Sequence, residues 1–457
     1  MIKFGTDGFR GVIGDNYTFE NIRKIAQAHA ESLKDRKGKK VIVGYDTRFM
    51  SRDFALAVAE VFSSNGFKVI ISKGITTTPA LSLAVREFKC DEGVMITASH
   101  NGYKYNGYKI KGKYGGPATE DIIKDVENRI GKSQIKTGKS DFKEEDLQNI
   151  YINRLKSYFD PNIFKQKHIK IIHDPMYATS SNLYNSILED SFVSVESINN
   201  WYNPYFGGHH PEPIDKNLSL LKAKVVAVQA DLGVANDGDS DRVGIVDEKG
   251  EFVNTQILYA LLLLHTIRNR KVKGSIVKTV STTYLADRIA KKEKRKIHKT
   301  PVGFKYVADI MLREKVAFGG EESGGYGFGF HIPERDGVLS GLLIIEMMNL
   351  YGKSMSELVK ELFKEFGEAY YKREDLKVEG TQGLDFVNKL KSKEIKEFAG
   401  FKVREIDKTD GVKIIFEDDS WLLFRASGTE PVLRIYAESP SVEKTDKLIK
   451  SSISMIE

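Results

Sequence analysis

Two periodicities alternate along this chain. Short apolar runs rich in β-branched residues give way to longer stretches whose apolar positions return at helical spacing. Three of these alternations read as copies of one unit of strand, polar loop, helix and strand. The first spans residues 40–46 (KVIVGYD), 53–65 and 67–71. The second spans 168–174 (HIKIIHD), 180–189 and 192–195, and the third 275–280 (SIVKTV), 282–291 and 296–298. Strands alternating with helices predict βαβ units and mainly parallel sheets. Each copy is followed by a further apolar strand that runs into a glycine-rich polar loop: GVMITASHN, ADLGVANDGDSDR and VAFGGEESGG. The recurrence predicts that these loops meet at one site. From about residue 370 the pattern changes to a helix-like stretch at 383–393 and strand-like runs at 412–416, 420–424 and 432–437. The predicted fold is three similar α/β domains with mainly parallel mixed sheets, then a C-terminal α+β domain. The expected boundaries give domains 1–148, 149–249, 250–366 and 367–457. They rest on the polar stretch 131–146, the turn Glu248-Lys249-Gly250 and the loss of apolar periodicity after Phe366.

Length agrees with several domains, since 457 residues exceed one core at roughly 150 residues per domain. The hydrophobic share of 41% and charged share of 29% are ordinary for a globular protein. A single cysteine, Cys90, excludes an intramolecular disulfide and fits a reducing cytosol, so a cytoplasmic location is expected. The N-terminal MIKFGTDGFRG has no apolar h-region, which predicts no signal peptide. The longest apolar run, 257–264, falls far short of the ~20 residues that span a bilayer, and no membrane partner is expected. The net charge of +7 favours nucleic acid or small anions such as phosphates. The lysines are dispersed, and the sharpest basic cluster, 291–296, has no interleaved aromatic residues. It reads as a solvated helix end, and no nucleic-acid partner is expected.

The loops carry the chemistry. Ser99 follows the apolar run 93–96, where a strand ends and a loop opens. Ligands bind at the carboxyl ends of strands in such sheets, and a hydroxyl there can act as a nucleophile or carry a phosphate; a turn-capping serine is the alternative. Asp237, Asp239 and Asp241 stand at alternate positions in DGDSDR. Three clustered carboxylates call for a hard divalent cation, completed by a further oxygen such as a phosphate's. An EF-hand fails because Arg242 stands where that loop needs glycine and 243–246 reads as a strand. A metal-free acidic turn remains open. Glu321 and Ser323 in GEESGG suit hydrogen bonds to sugar hydroxyls, against an exposed acidic turn. Arg425, Ser427, Gly428, Thr429 and Arg434 in RASGTEPVLR combine hydroxyls, a glycine and two arginines, a phosphate-loop pattern, against a solvated hairpin. GTDGFRG is a glycine-rich loop carrying Arg10, Lys109 ends the return strand after Ser99, TPVGFK is a loop before a helix-like run, and HIPERDG is a further polar loop.

TASHN, DGDSDR, GEESG and RASGTEP, in this order, make the chain resemble the α-D-phosphohexomutase superfamily over essentially its whole length. The resemblance implies four domains, the last like the TATA-binding-protein fold, with an active site where all four meet. It implies a phosphoserine at Ser99 and Mg²⁺ on Asp237, Asp239, Asp241 and the Ser99 phosphate. It implies sugar recognition by Glu321 and Ser323, phosphate binding by Arg425, Ser427, Gly428 and Thr429, and Arg10, His100, Lys109 and Arg242 around the reacting phosphate. Gly303, Lys305 and Arg335 join the substrate-binding residues and Arg434 the phosphate-binding ones. Gly102 stands where the superfamily often has proline, and Met176-Tyr177-Ala178 where it often has a glycine-rich turn; neither removes a catalytic group. Phe304-Lys305 and Gly325 replace histidines of the bacterial bifunctional phosphomannomutase type, which favours glucose.

The implied reaction interconverts hexose 1-phosphate and hexose 6-phosphate, of glucose, mannose or both, through phospho-Ser99 and a hexose 1,6-bisphosphate that also serves as activator. A phosphoglucosamine mutase is the alternative within the superfamily. A phosphatase or serine hydrolase is a rival, weakened by the lack of GxSxG around Ser99. A non-catalytic sugar-phosphate binding protein is another. A monomer or small homo-oligomer is expected.

Overall fold

The run KVIVGY folds as the strand Lys40–Tyr45, buried over nearly its whole length. Its alternate side chains face opposite layers. Val41 and Val43 pack with the helices Phe19–Asp35 and Ser51–Ser64, while Ile42 packs with the helix Thr78–Glu87. A strand covered on both faces reads as a continuous apolar run, as parallel sheets require. The computed structural model describes residues 2–5, 7–426 and 431–456. The chain divides into two compact units.

The first unit comprises Met1–Val253, Ala308–Lys315 and Gly324–Ser356. Its larger sheet runs Phe9–Val12, Tyr105–Gly112, Glu92–Ile96, Lys40–Tyr45, Lys68–Ser72, Phe142–Glu145. The last four of these strands are mutually parallel, while Tyr105–Gly112 runs antiparallel to Glu92–Ile96 and Phe9–Val12 antiparallel to it. The second half of GTDGFRG is therefore strand, not loop. Lys109 lies inside its strand, opposite Met95, because pairing continues to Gly112 opposite Glu92. The polar stretch after residue 131 contains the edge strand Phe142–Glu145, whose charged FKEE suits a sheet edge.

The smaller sheet of this unit runs Phe252–Val253, Val243–Val246, Leu232–Asn236, Ile169–Asp174, Val193–Ser197. Leu232–Asn236, Ile169–Asp174 and Val193–Ser197 are parallel, and Val243–Val246 turns back antiparallel. The second repeat's helix is shorter than its pattern, Leu183–Leu188, because Asn182 still has a left-handed φ of 61°. The helix Gly337–Tyr351 is apolar on nearly all sides and accordingly buried.

The second unit comprises Asn254–Val307, Val316–Ser323 and Glu357–Glu457. The strands Ile297–Thr300, Ser275–Thr279 and Val316–Gly320 are parallel. The C-terminal sheet is antiparallel, in the order Tyr370–Lys377, Val432–Ser439, Trp421–Ala426, Val412–Phe416, Phe401–Asp407, Glu397–Phe398. Ile414, Phe416, Leu422, Phe424 and Ile435 share a core on one face with residues of the helices Gln382–Lys391 and Val442–Ile456. Among the described residues no helix is long and apolar enough to cross a membrane.

Candidate active site

Ser99 sits three residues beyond the strand Glu92–Ile96, fully buried, with a φ of 53°. A left-handed φ is costly for a non-glycine residue and persists only where the surroundings fix it. Arg48 does much of that fixing. Its guanidinium donates to the carbonyls of Ser99, Asn101, Gly102 and Tyr105. Asp46 in turn accepts from Arg48 Nε at 3.0 Å and from Thr97 Oγ1 at 2.6 Å. Burial raises the Asp46 pKa above the usual carboxylate range, opposed by the Arg48 charge and these hydrogen bonds.

The aspartate loop meets this serine directly. Asp237 Oδ2 accepts from Ser99 Oγ at 2.9 Å. The approach needs a glycine between the aspartates: a Cβ on Gly238 would lie 2.2 Å from the Ser99 carbonyl oxygen. Asp239 Oδ2 accepts from Thr78 Oγ1 at 2.5 Å and Lys109 Nζ at 2.7 Å. Asp241 Oδ2 accepts from Arg335 Nη2 at 2.6 Å.

All three carboxylates are fully buried, and one oxygen of each lies within 4.8 Å of the others. Oδ1 of Asp239 and Oδ1 of Asp241 have no hydrogen-bond partner among the described residues. Buried carboxylate oxygens without a hydrogen bond, converging on one point, fit a hard divalent cation. Burial, then the charges of Asp241 and Asp239, pushes the Asp237 pKa well above the carboxylate range, a repulsion that a cation would relieve.

A ring of cations surrounds the aspartates. Burial disfavours the Lys109 charge, but Asp239, Asp7 and Asp241 outweigh it and raise its pKa above the usual lysine range. Asp7 binds Lys109 at 2.7 Å and Arg335 at 2.9 Å. Burial opposes the Asp7 charge, but Lys109, Lys111, Arg335 and Arg10 hold its pKa well below the carboxylate range. Arg335, grouped by sequence with the sugar-binding residues, is thus tied to the aspartate loop. Gly325 makes room for it, since a Cβ there would lie 2.3 Å from Arg335 Cδ.

Arg10 donates to the Asn101 side chain, and Arg242 reaches Glu212 at 3.2 Å. His100 Nδ1 lies 3.4 Å from Ser99 Oγ. Burial, then the charges of Arg242, Arg10, Lys109 and Arg335, pushes the His100 pKa well below its ordinary value. Ser99, His100, Lys109, Arg10, Arg242, the three aspartates and Arg335 therefore form one cluster.

A second group lies in the second unit. Glu321 and Ser323 follow the strand Val316–Gly320, with Glu321 buried and Ser323 half-buried. The adjacent Glu322 is anchored by Ser281 Oγ at 2.7 Å. Asp410 ties two candidate segments together. Its Oδ2 accepts from Val302 N at 2.9 Å and from Arg425 Nε at 2.8 Å. Gly303 has a φ of 134°, Lys305 lies over the Tyr306 ring at 4.8 Å, and Arg425 stands opposite Arg434 across paired strands. Ser427, Gly428 and Thr429 lie outside the described residues.

Arg48, Thr78, Glu212 and Asp410 take part without belonging to any motif read from the sequence, and Asp7 takes part although its GTDGFRG motif points only to Arg10. Arg48 had a signal: it lies just beyond the carboxyl end of the first repeat's opening strand, where ligand-binding loops gather in such sheets.

Known proteins are similar to this chain along its whole length. The four domains of the phosphoglucomutase/phosphomannomutase family match in order: alpha/beta/alpha domain I at residues 1–136, domain II at 149–250, domain III at 255–366 and the C-terminal domain at 377–451. A phosphoglucomutase/phosphomannomutase of Thermococcus kodakarensis is 35% identical, covering 99% of this chain and 98% of its own. A phosphoglucosamine/phosphogalactosamine mutase of Sulfurisphaera tokodaii is 30% identical, covering 99% of each. The crystal structure of a phosphomannomutase from Thermus thermophilus superimposes with a TM-score of 0.89 at 35% identity, covering 100% of this chain and 99% of that one. The chain belongs to the phosphoglucomutase/phosphomannomutase family, within the α-D-phosphohexomutase superfamily of phosphoryl-transferring mutases.

Proposed function

We propose that this enzyme interconverts a hexose 1-phosphate and the corresponding hexose 6-phosphate through a phosphoserine at Ser99, with glucose, mannose or both as its hexoses. The observation that carries this reading is the buried Ser99 hydroxyl, 2.9 Å from Asp237, inside a ring of cations that suits a doubly charged phosphoryl group. In the first half-reaction the Ser99 Oγ–P bond breaks and a P–O bond forms to the free sugar hydroxyl, giving a hexose 1,6-bisphosphate. In the second, the other phosphate of that molecule returns to Ser99 Oγ and the isomer leaves.

Phosphoryl transfer needs mainly positioning and charge neutralisation. Lys109, held cationic between Asp7 and Asp239, serves as a charge clamp, and Arg10 and Arg242 hold phosphoryl oxygens. His100, next to the Ser99 hydroxyl, takes up and returns the hydroxyl proton. Mg²⁺, held by Asp237, Asp239, Asp241 and the Ser99 phosphate, supplies Lewis-acid neutralisation when bound. Glu321 and Ser323 accept and donate to the sugar hydroxyls, with Gly303 and Lys305 beside them. Arg425, Ser427, Gly428, Thr429 and Arg434 grip the phosphate that is not reacting. The four-domain partition at residues 148, 249 and 366, a cytoplasmic location and a monomeric or small homo-oligomeric state belong to the same proposal.

A second reading, a phosphoglucosamine mutase, is favoured by the Sulfurisphaera relative, whose name carries glucosamine and galactosamine. Turnover of glucose 1-phosphate, mannose 1-phosphate and glucosamine 1-phosphate, compared by kcat/KM, separates the two. Preference for glucosamine 1-phosphate selects the second reading, and failure to turn over any of the three overturns both.

A further inference from the structure

The C-terminal sheet presents a second face, opposite its two helices. Lys413, Ile415 and Trp421 alternate onto it, away from the core residues Ile414, Phe416 and Leu422. There they line a cavity of about 500 Å³ together with residues of the helix Leu285–Lys292 and the strands Ile297–Thr300 and Phe401–Asp407. That volume is within the range of small-molecule sites. None of the lining residues belongs to the mutase machinery assigned above.

Six cationic side chains line this cavity against three carboxylates. Asp287 is taken by Lys278, and Asp419 is shared by Arg404 at 2.6 Å and Arg288 at 3.4 Å. Lys299 is held by Asp407 at 2.7 Å. Lys291, on the exposed last turn of its helix, forms no ion pair among the described residues. Lys413 forms none either, although it is only 4% exposed. Its ammonium donates to the Val280 carbonyl at 2.6 Å and lies 3.9 Å from the Trp421 ring centroid. Burial, then repulsion from Lys278, holds its pKa well below the usual lysine range, only partly offset by the charges of Asp287 and Glu438. A buried lysine amine with no carboxylate in direct contact is costly to charge, and an anion in the cavity would favour its charged form.

We propose that this cavity is a second anion site, binding the diphosphate or bisphosphate group of a small metabolite, with Lys291, Arg404 and Arg288 at its rim and Lys413 at its floor. Arginine forks bind phosphate oxygens in pairs, and two of them share a single carboxylate here. An occupant would tie the helix Leu285–Lys292 to the strand that ends in Arg425 and Ala426. The proposal is independent of the chemistry at Ser99.

Calorimetric titration of the full chain with inorganic pyrophosphate, in EDTA, tests it against two variants. Arg425→Ala removes a phosphate-binding side chain of the mutase site and should retain a pyrophosphate site. Lys291→Gln with Arg404→Gln should weaken that site by roughly tenfold or more, the loss of two charge-assisted contacts, with turnover within about twofold of the parent. Adenosine diphosphate in the same buffer distinguishes sources. Tighter binding than pyrophosphate assigns the diphosphate to a nucleotide, and equal or weaker binding assigns it to a free or sugar-borne group. The proposal is overturned if pyrophosphate fails to bind up to about 5 mM, an affinity too weak for a specific site. It is equally overturned if binding vanishes with Arg425→Ala, or if the double variant leaves it unchanged.

Discussion

Asp237, Asp239 and Asp241 have different neighbours, although the sequence presents them as equals. Asp239 and Asp241 each give one oxygen to cations of the protein and keep the other without a hydrogen bond among the described residues, whereas Asp237 accepts from Ser99 and from the Arg242 amide. Asp239 is thus both a candidate ligand and the anchor of Lys109. Asp239→Asn should lower the apparent Mg²⁺ affinity by about 10–100-fold, read from turnover against Mg²⁺ concentration. Unchanged Mg²⁺ dependence would remove Asp239 from the ligand set. Gly238 makes the opposite contribution, by having nothing to place against the Ser99 carbonyl. Gly238→Ala should force the metal loop off the serine loop, lowering stability by about 1–3 kcal/mol and turnover more steeply. Parent-like melting and parent-like kcat would show that the two loops are not in the close contact described.

At the scale of the element, the strand Ile169–Asp174 ends in two buried titratable groups of opposite sense. Burial lowers the His173 pKa to about 3, partly offset by Asn236. Burial raises the Asp174 pKa to about 6, partly offset by the Met176 amide and Asn199. Between about pH 3 and pH 6.5 the unfolded chain holds a proton on His173 that the folded chain refuses, so this group's contribution grows as pH rises. Asp174 is protonated in the folded chain up to about pH 6, while the unfolded chain has lost that proton above about pH 4. Its contribution shrinks as pH rises through that window. The two slopes oppose each other between about pH 4 and pH 6. Asp174→Asn removes one of them and keeps an acceptor for the Met176 amide. Urea unfolding of this variant should therefore show stability rising with pH across the window more steeply than in the parent, by on the order of 1 kcal/mol per pH unit. Parallel profiles would mean that Asp174 is ionised in the folded protein at pH 5.

For the whole molecule, what the sequence discloses is what lies contiguous in it. Strand, loop and return strand are neighbours along the chain, so Ser99, the aspartate loop and the three βαβ repeats are legible from local pattern. Asp7, Thr78 and Arg335 reach the aspartates only through the tertiary fold; no short-range pattern marks Thr78, and the motifs that hold Asp7 and Arg335 do not say which loop they meet. The buried helix Gly337–Tyr351 is opaque for another reason: apolar on nearly all sides, it shows no amphipathic period to read. The reaction itself is decided by the fate of one phosphoryl group. A serine hydroxyl is a weak nucleophile, but a phosphoserine is a charged donor ready to transfer. If Ser99 stores the phosphoryl group, intact-mass analysis should show a subpopulation heavier by one such group, mapped by peptide analysis to Ser99. Hexose 1,6-bisphosphate should raise that fraction and abolish any lag in turnover. A phosphatase would release inorganic phosphate in step with substrate loss, whereas a mutase releases almost none. Ser99→Ala should lose nearly all isomerisation yet still bind hexose phosphate, because Arg425 and Glu321 are untouched. Near-normal isomerisation by Ser99→Ala would defeat the phosphoserine reading at its centre, even though the fold and the metal loop would stand.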